Sequence, residues 1–244
     1  MFCHRTKFFV PLVMGGLMEI FGYYGRVWSH TVPQDMGPYV LTLILSLSAP
    51  AFIAATIYMT LTHTILSLNA ERHSPISPRW LTFVFVIADI ICFCTQVGGA
   101  GMQISISEPV RRSGRVIVLL GLLFQCITFC FYILMVWTIH RRNSEAPTAF
   151  TMNPYLPNWK KYIYALYFLS VCILVRNIVR IAEYVGSHTG PMQKTEAYIY
   201  VFDASLVLIC MVVLAVLHPG RLTKAATALR ATDRDNMDGL LGKC

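Results

Sequence analysis

The chain has 244 residues, 56% hydrophobic and only 13% charged, with a formal net charge of +8; ordinary soluble domains carry about 25% charged residues. With a mean hydropathy of +0.58, a soluble fold of this size cannot hide its apolar surface, so an all-α, polytopic transmembrane helix bundle is expected as one domain. The basic excess raises the question of nucleic acid. No nucleic-acid-binding module is present, and most Lys and Arg fall in short loops between apolar runs, so no nucleic-acid partner is expected.

In chain order, six spans are expected: Phe8–Ser29, Tyr39–Leu66, Trp80–Ile104, Gly114–Ile139, Trp159–Val185 and Ala197–Leu217. Each exceeds the ~17 residues needed to cross a bilayer. Trp28, Trp80, Trp137 and Trp159 fall at the ends of these spans, where an aromatic belt places them. The first apolar run follows basic residues but has no small-residue cleavage site, and Glu19 interrupts it, so it reads as a span and not a removable signal. With a cytoplasmic N-terminus, thirteen Lys and Arg fall on the inner side and four on the outer (Arg111, Arg112, Arg115, Lys194). The imbalance puts both termini inside. Residues 1–221 form the bundle and 222–244 a flexible cytoplasmic tail.

The informative residues are the charges inside the spans. At about 100° per residue, Arg176, Arg180 and Glu183 share one face of the fifth span, and Glu19, Tyr23 and Arg26 one face of the first, beside Gly15 and Gly22. Asp89 and Gln96 lie two turns apart on the third span, Gln125 in the middle of the fourth, and Asp203 beyond Tyr200 on the sixth. A charge at mid-membrane costs at least ~2.5 kcal/mol, so these groups must face protein or water. Counting depth at about 1.5 Å per residue from the inner ends puts Glu19 and Asp89 near the bilayer centre. Arg176 and Asp203 lie higher by the same count, so one connected polar layer toward the outer leaflet is expected. A buried ion network that only fixes helix register accounts for the same pattern. A mid-membrane carboxylate is otherwise a candidate for substrate contact or proton transfer.

Other residues read as structure. Six cysteines lie inside apolar runs as small hydrophobes, and Pro50 as a kink the bundle tolerates. No two histidines fall within four residues and no phosphate-binding Gly-Lys-Ser/Thr loop occurs, so no metal, no cofactor and no ATP site is expected.

These residues together resemble the fungal RTA-like family, also called lipid-translocating exporters. The matching groups are Glu19 with Gly22-Tyr23 and Arg26; Ala49-Pro50-Ala51 with Ala55 and Tyr58; and Asp89 with Gln96 and Gly98-Gly99, Gly101. Gln125 follows, then Arg176 with Arg180 and Glu183, Glu196 with Tyr200 and Asp203, and His218-Pro219-Gly220. The resemblance implies a seven-span protein that moves or senses amphipathic lipids such as sphingoid long-chain bases and contributes to resistance to toxic amphiphiles; some relatives are linked to porphyrin traffic. It places this chain's first span at the family's second, so the family's first transmembrane helix is expected to be absent here. Val179 stands where relatives often carry an aromatic.

The resulting expectation is a plasma-membrane, multi-pass lipid transporter, not an enzyme and with no catalytic residues, whose partners are membrane lipids and an amphipathic substrate. Glu19 and Asp89 would meet a substrate ammonium, with Gln96 and Tyr23 on its hydroxyls. Arg26, Gln125, Arg176, Arg180, Glu183, Tyr200 and Asp203 would form the supporting polar network. Proton uptake on a carboxylate would release the load. A receptor-like lipid sensor and an intramembrane lipid-modifying enzyme are the alternatives.

Overall fold

The computed structural model describes residues 10–31, 36–74, 77–146, 158–185, 196–217, 220, 222–229 and 231. Among them all regular structure is helical. The six expected spans correspond to α1 (Val10–Thr31), α2 (Met36–Ser67), α3 (Pro78–Met102), α4 (Glu108–Glu145), α5 (Trp159–Val185) and α6 (Glu196–Val216), with a single 3-10 turn at Glu71–His73 before α3. Two starts have a local cause. Ser77 precedes Pro78, and Ser107 precedes Glu108-Pro109; proline in the first turn gives up an N–H that has no intrahelical partner there. Glu108 also pairs with Arg111 one turn on.

Four stretches meet both the length and the apolarity of a span: Ile44–Ser67, Trp80–Met102, Glu108–Glu145 and Trp159–Ala182; Phe202–Val216 is a shorter apolar stretch. Large apolar side chains cover the outer faces, among them Ile20 and Val27 on α1, Ile90 on α3, Phe131 on α4 and Leu208 on α6. An apolar exterior around a bundle that buries Glu19, Asp89, Arg176 and Asp203 inverts the soluble arrangement, as hydrocarbon requires. The chain is a multi-pass helical membrane protein.

α2 is the central element. It packs against α1, α3, α5 and α6, and contacts continue from α3 to α4, α4 to α5 and α5 to α6. Ala49, Ala54, Ile57, Tyr58 and Leu61 on α2 are wholly enclosed.

Three expectations change. α4 runs past the expected Gly114–Ile139 at both ends, because hydropathy registers only the stretch within hydrocarbon, while the polar flanks continue the helix beyond it. At 38 residues, it is roughly 57 Å long, against a ~30 Å core. Residues 222–229, expected in a flexible tail, are helical. Leu222 and Ala226 there are buried, and Ser67 Oγ of α2 donates to Thr223 Oγ1 at 3.4 Å; residues 232–244 of that tail lie outside the described residues. The tryptophans divide as well. Trp28, Trp80 and Trp137 are exposed as in a belt, whereas Trp159 is buried, edge-on to His140.

α3 and α4 approach most closely at glycine. A Cβ on Gly99 would lie 2.7 Å from the Gly114 carbonyl oxygen and one on Gly114 2.6 Å from the Gly99 oxygen, while one on Gly101 would meet nothing within 4 Å. Small residues give helices this approach inside a membrane. Gly99→Ala should therefore destabilise the protein by about 1–3 kcal/mol through overpacking against backbone. Gly101→Ala should be neutral or slightly stabilising through helix propensity. Thermal unfolding of both variants in detergent checks the difference.

Candidate functional site

The ionic centre joins α5, α6 and α2. Arg176 and Arg180, one turn apart on α5, converge on Asp203 of α6. Arg176 Nε lies 2.8 Å from Asp203 Oδ1 as an ion contact, and its Nη2 donates to Oδ2 at 3.3 Å. Arg180 Nη2 donates to the same Oδ2 at 2.7 Å. All three side chains are buried. Partnering of this kind is what makes a guanidinium in hydrocarbon tolerable.

α2 completes the arrangement through Ser46. Its carbonyl accepts from Arg176 Nη2 at 3.2 Å, and its hydroxyl oxygen accepts from Arg180 Nη2 at 2.9 Å. The carbonyl is free because the residue four positions on is Pro50, inside α2, which has no N–H to give it. Pro50 is thus more than a tolerated kink: it releases the acceptor that Arg176 uses.

Glu19 enters from α1. A Cβ at Gly15 would lie 3.1 Å from the Ala49 carbonyl oxygen, and one at Gly22 3.4 Å from the Ser46 nitrogen. These two glycines therefore let α1 lie directly on the stretch of α2 that carries Ser46, as their position beside the charged face implied. Glu19, between them, is within electrostatic reach of Arg176, Asp203 and Arg180. It is 7% exposed, and neither carboxylate oxygen has a hydrogen-bond partner among the described residues. Tyr23, one turn on and half-buried, is within reach of Asp203 and Glu19.

Asp89 belongs elsewhere. Tyr58 Oη donates to its Oδ2 at 2.9 Å, in an aromatic pack in which Tyr58 lies 5.1 Å from Phe85 and 4.9 Å from Tyr132 between ring centroids. Tyr58 is twelve residues beyond Ser46 on α2, roughly 18 Å along the axis. Gln96 Nε2 donates to Gln125 Oε1 at 3.0 Å, a separate pair between α3 and α4.

The expected polar layer resolves into three sets of contacts: the Arg176–Arg180–Asp203 cluster, the Tyr58–Asp89 bond and the Gln96–Gln125 pair. Of the four residues expected to bind substrate, Glu19 and Tyr23 stand with the ion cluster, and Asp89 bonds instead to Tyr58. Gln96 pairs with Gln125, and Ala100 one turn further on α3 shares an apolar cluster with Leu47 of α2, next to Ser46. Arg26, Glu183 and Tyr200 lie on described helices, but their side chains are outside the described residues. Sequence reasoning missed Ser46 as an acceptor, which Pro50 four residues later signals. It also missed Asn177, 1% exposed and with no partner for its amide among the described residues, although it adjoins Arg176.

Beside Arg176 is a small recess between α2, α5 and α6, with room for about one water molecule, its walls including Pro50, Ile53, Cys172, Val207 and Cys210. The site thus sets one unpartnered carboxylate and a pair of guanidiniums near an apolar hollow. That arrangement suits a molecule with an ionised head and a hydrocarbon body. No group of three or more His, Cys, Asp or Glu able to hold a metal occurs among the described residues.

The family model "RTA1 like protein" matches residues 12–226, and the chain belongs to that family. Among curated relatives from Saccharomyces cerevisiae, Protein RTM1 is 32% identical over 215 residues, covering 85% of this chain and 66% of its own. Protoporphyrin uptake protein 1 is 33% identical over 213 residues, 85% and 67%. Sphingoid long-chain base transporter RSB1 is 24% identical over 248 residues, 87% and 64%. The chain spans about two thirds of the length of these relatives. No solved structure matches it.

Asp203 and Glu19 should behave oppositely on mutation. Asp203→Asn strands two buried guanidiniums and should cost about 3–5 kcal/mol of stability. Glu19→Gln removes no hydrogen bond and lifts a desolvated charge, so its unfolding midpoint should match or exceed the native one. Melting curves of the two variants in the same detergent test the contrast.

Proposed function

We propose that this member of the RTA1-like family transports amphipathic lipids across the membrane, sphingoid long-chain bases among them, and so contributes to resistance to toxic amphiphiles. The observation that carries this reading is Glu19: a carboxylate enclosed in the bundle with neither oxygen hydrogen-bonded among the described residues. Native structures partner their buried polar groups, and an ammonium headgroup supplies the missing donors. The apolar recess at Arg176 takes the first part of the hydrocarbon chain, and Tyr23 accepts or donates to hydroxyls near the head. Arg176, Arg180 and Asp203 hold the frame. Asp89, paired with Tyr58, and the Gln96–Gln125 pair serve as packing or as a second station on the route. Protonation of Glu19 releases the cation. The protein moves its substrate without altering covalent bonds, in the plasma membrane, with both termini cytoplasmic.

A second reading has its own support. The relative named for protoporphyrin uptake is 33% identical, against 24% for the one named for sphingoid bases. A porphyrin carries carboxylates on an apolar body, and those would seek Arg176 and Arg180.

The two readings separate in proteoliposomes. Native protein should shift a labelled long-chain base between leaflets. Loss of a charge-assisted contact worth about 1.5–3 kcal/mol should slow Glu19→Gln by roughly tenfold to a hundredfold. Unchanged base movement in that variant sinks the Glu19 assignment. Movement of porphyrin but not of base favours the second reading. Binding of base with no change in its leaflet distribution makes the protein a sensor.

A further inference from the structure

The recess beside the ion cluster has two thiols on its wall. Cys172 lies one turn before Arg176 on α5, and Cys210 two turns beyond Asp203 on α6. They are 7% and 2% exposed, are free thiols, interact with one another across the helix pair, and line the same hollow as Arg176.

We propose that Cys172 and Cys210 form a two-thiolate chelate for a soft divalent metal ion of linear coordination, with Hg(II) as the probe. Thiolate sulfur selects soft ions. Because no third His, Cys, Asp or Glu joins the pair among the described residues, a four-coordinate zinc ion lacks its ligands, whereas a two-coordinate ion is satisfied by two sulfurs. Charge points the same way. Two thiols give up two protons and take one divalent ion, leaving a neutral bis-thiolate with no change of oxidation state. A monovalent ion held by two thiolates would leave a net negative charge, which is costly inside hydrocarbon. Thiols buried among apolar groups are otherwise unreactive. Here both thiols border the recess beside Arg176, whose guanidinium favours the thiolate as it forms. Once bound, the metal staples α5 to α6, one turn from Arg176 on α5 and two turns from Asp203 on α6. The chelate does not rest on lipid transport and stands or falls separately from it.

The test uses the full chain in detergent. The protein is loaded with Hg(II), washed with excess glutathione so that single-thiol sites lose their metal, and the retained metal is counted per chain. Native protein should retain one equivalent more than Cys172→Ser, and one more than Cys210→Ser. The double variant should lose the same single equivalent, because one ion needs both sulfurs. A double variant that loses two equivalents overturns the chelate, since the thiols then act independently. So does retention unchanged in all three variants, or native protein in which the two cysteines are already joined as a disulfide. Cys172→Ala and Cys210→Ala, measured in the same way, replace any serine variant that fails to fold.

Discussion

Asp203 is the group on which the arrangement turns. Hydrocarbon offers a buried guanidinium no solvent, so Arg176 and Arg180 are compatible with this bundle only because one carboxylate on α6 answers both. That requirement fixes the rotation of α5, whose charged face must point inward, and the height of α6 against it. It also reaches α2, because a single carboxylate cannot accept from every N–H of two guanidiniums. Ser46 takes the remainder, and Pro50 leaves its carbonyl available. A proline that costs a helix one hydrogen bond in isolation here lets the bundle form another between helices.

The same stretch of α2 receives α1. Gly15 and Gly22 bring the α1 backbone against Ala49 and Ser46, and the residue between them is Glu19. Its carboxylate lowers the net positive charge of the Arg176–Arg180–Asp203 group from a short distance, yet makes no hydrogen bond to it. Asp89 differs from it by one bond: Oδ2 accepts from a tyrosine hydroxyl among close-packed aromatic rings, while Oδ1 has no hydrogen-bond partner among the described residues. Glu19 has no such partner on either oxygen among the described residues.

The fold was largely legible in the sequence, because membrane helices announce themselves through length and apolarity, and the six spans differ from the helices mainly where polar flanks prolong α4. Faces within one helix were legible too. Arg176 and Arg180 share a side, as do Glu19 and Tyr23, because 3.6-residue periodicity is local. What crosses between helices was not. The choice of Asp203 and not Asp89 as the partner of the arginines depends on the relative heights of α3 and α6, and no single helix encodes those. Ser46 was hidden for a different reason: its acceptor is a backbone carbonyl, visible only by asking which carbonyl a proline deprives of its usual donor.

The juxtaposition of signs bears on what the family moves. The relatives are named for a sphingoid long-chain base and a protoporphyrin, one a cation on a hydrocarbon tail, the other an apolar ring bearing carboxylates. A site built of arginines alone would suit only the second, and one of acids alone only the first. Here Glu19 and the Arg176–Arg180 pair lie within electrostatic reach of each other, and Arg176 also borders a small apolar recess. The balance between them turns on whether Asp203 keeps hold of both guanidiniums. While it does, Glu19 is the carboxylate of this cluster with no hydrogen-bond partner among the described residues. Release of Arg176 would leave a guanidinium beside the recess without any change of fold.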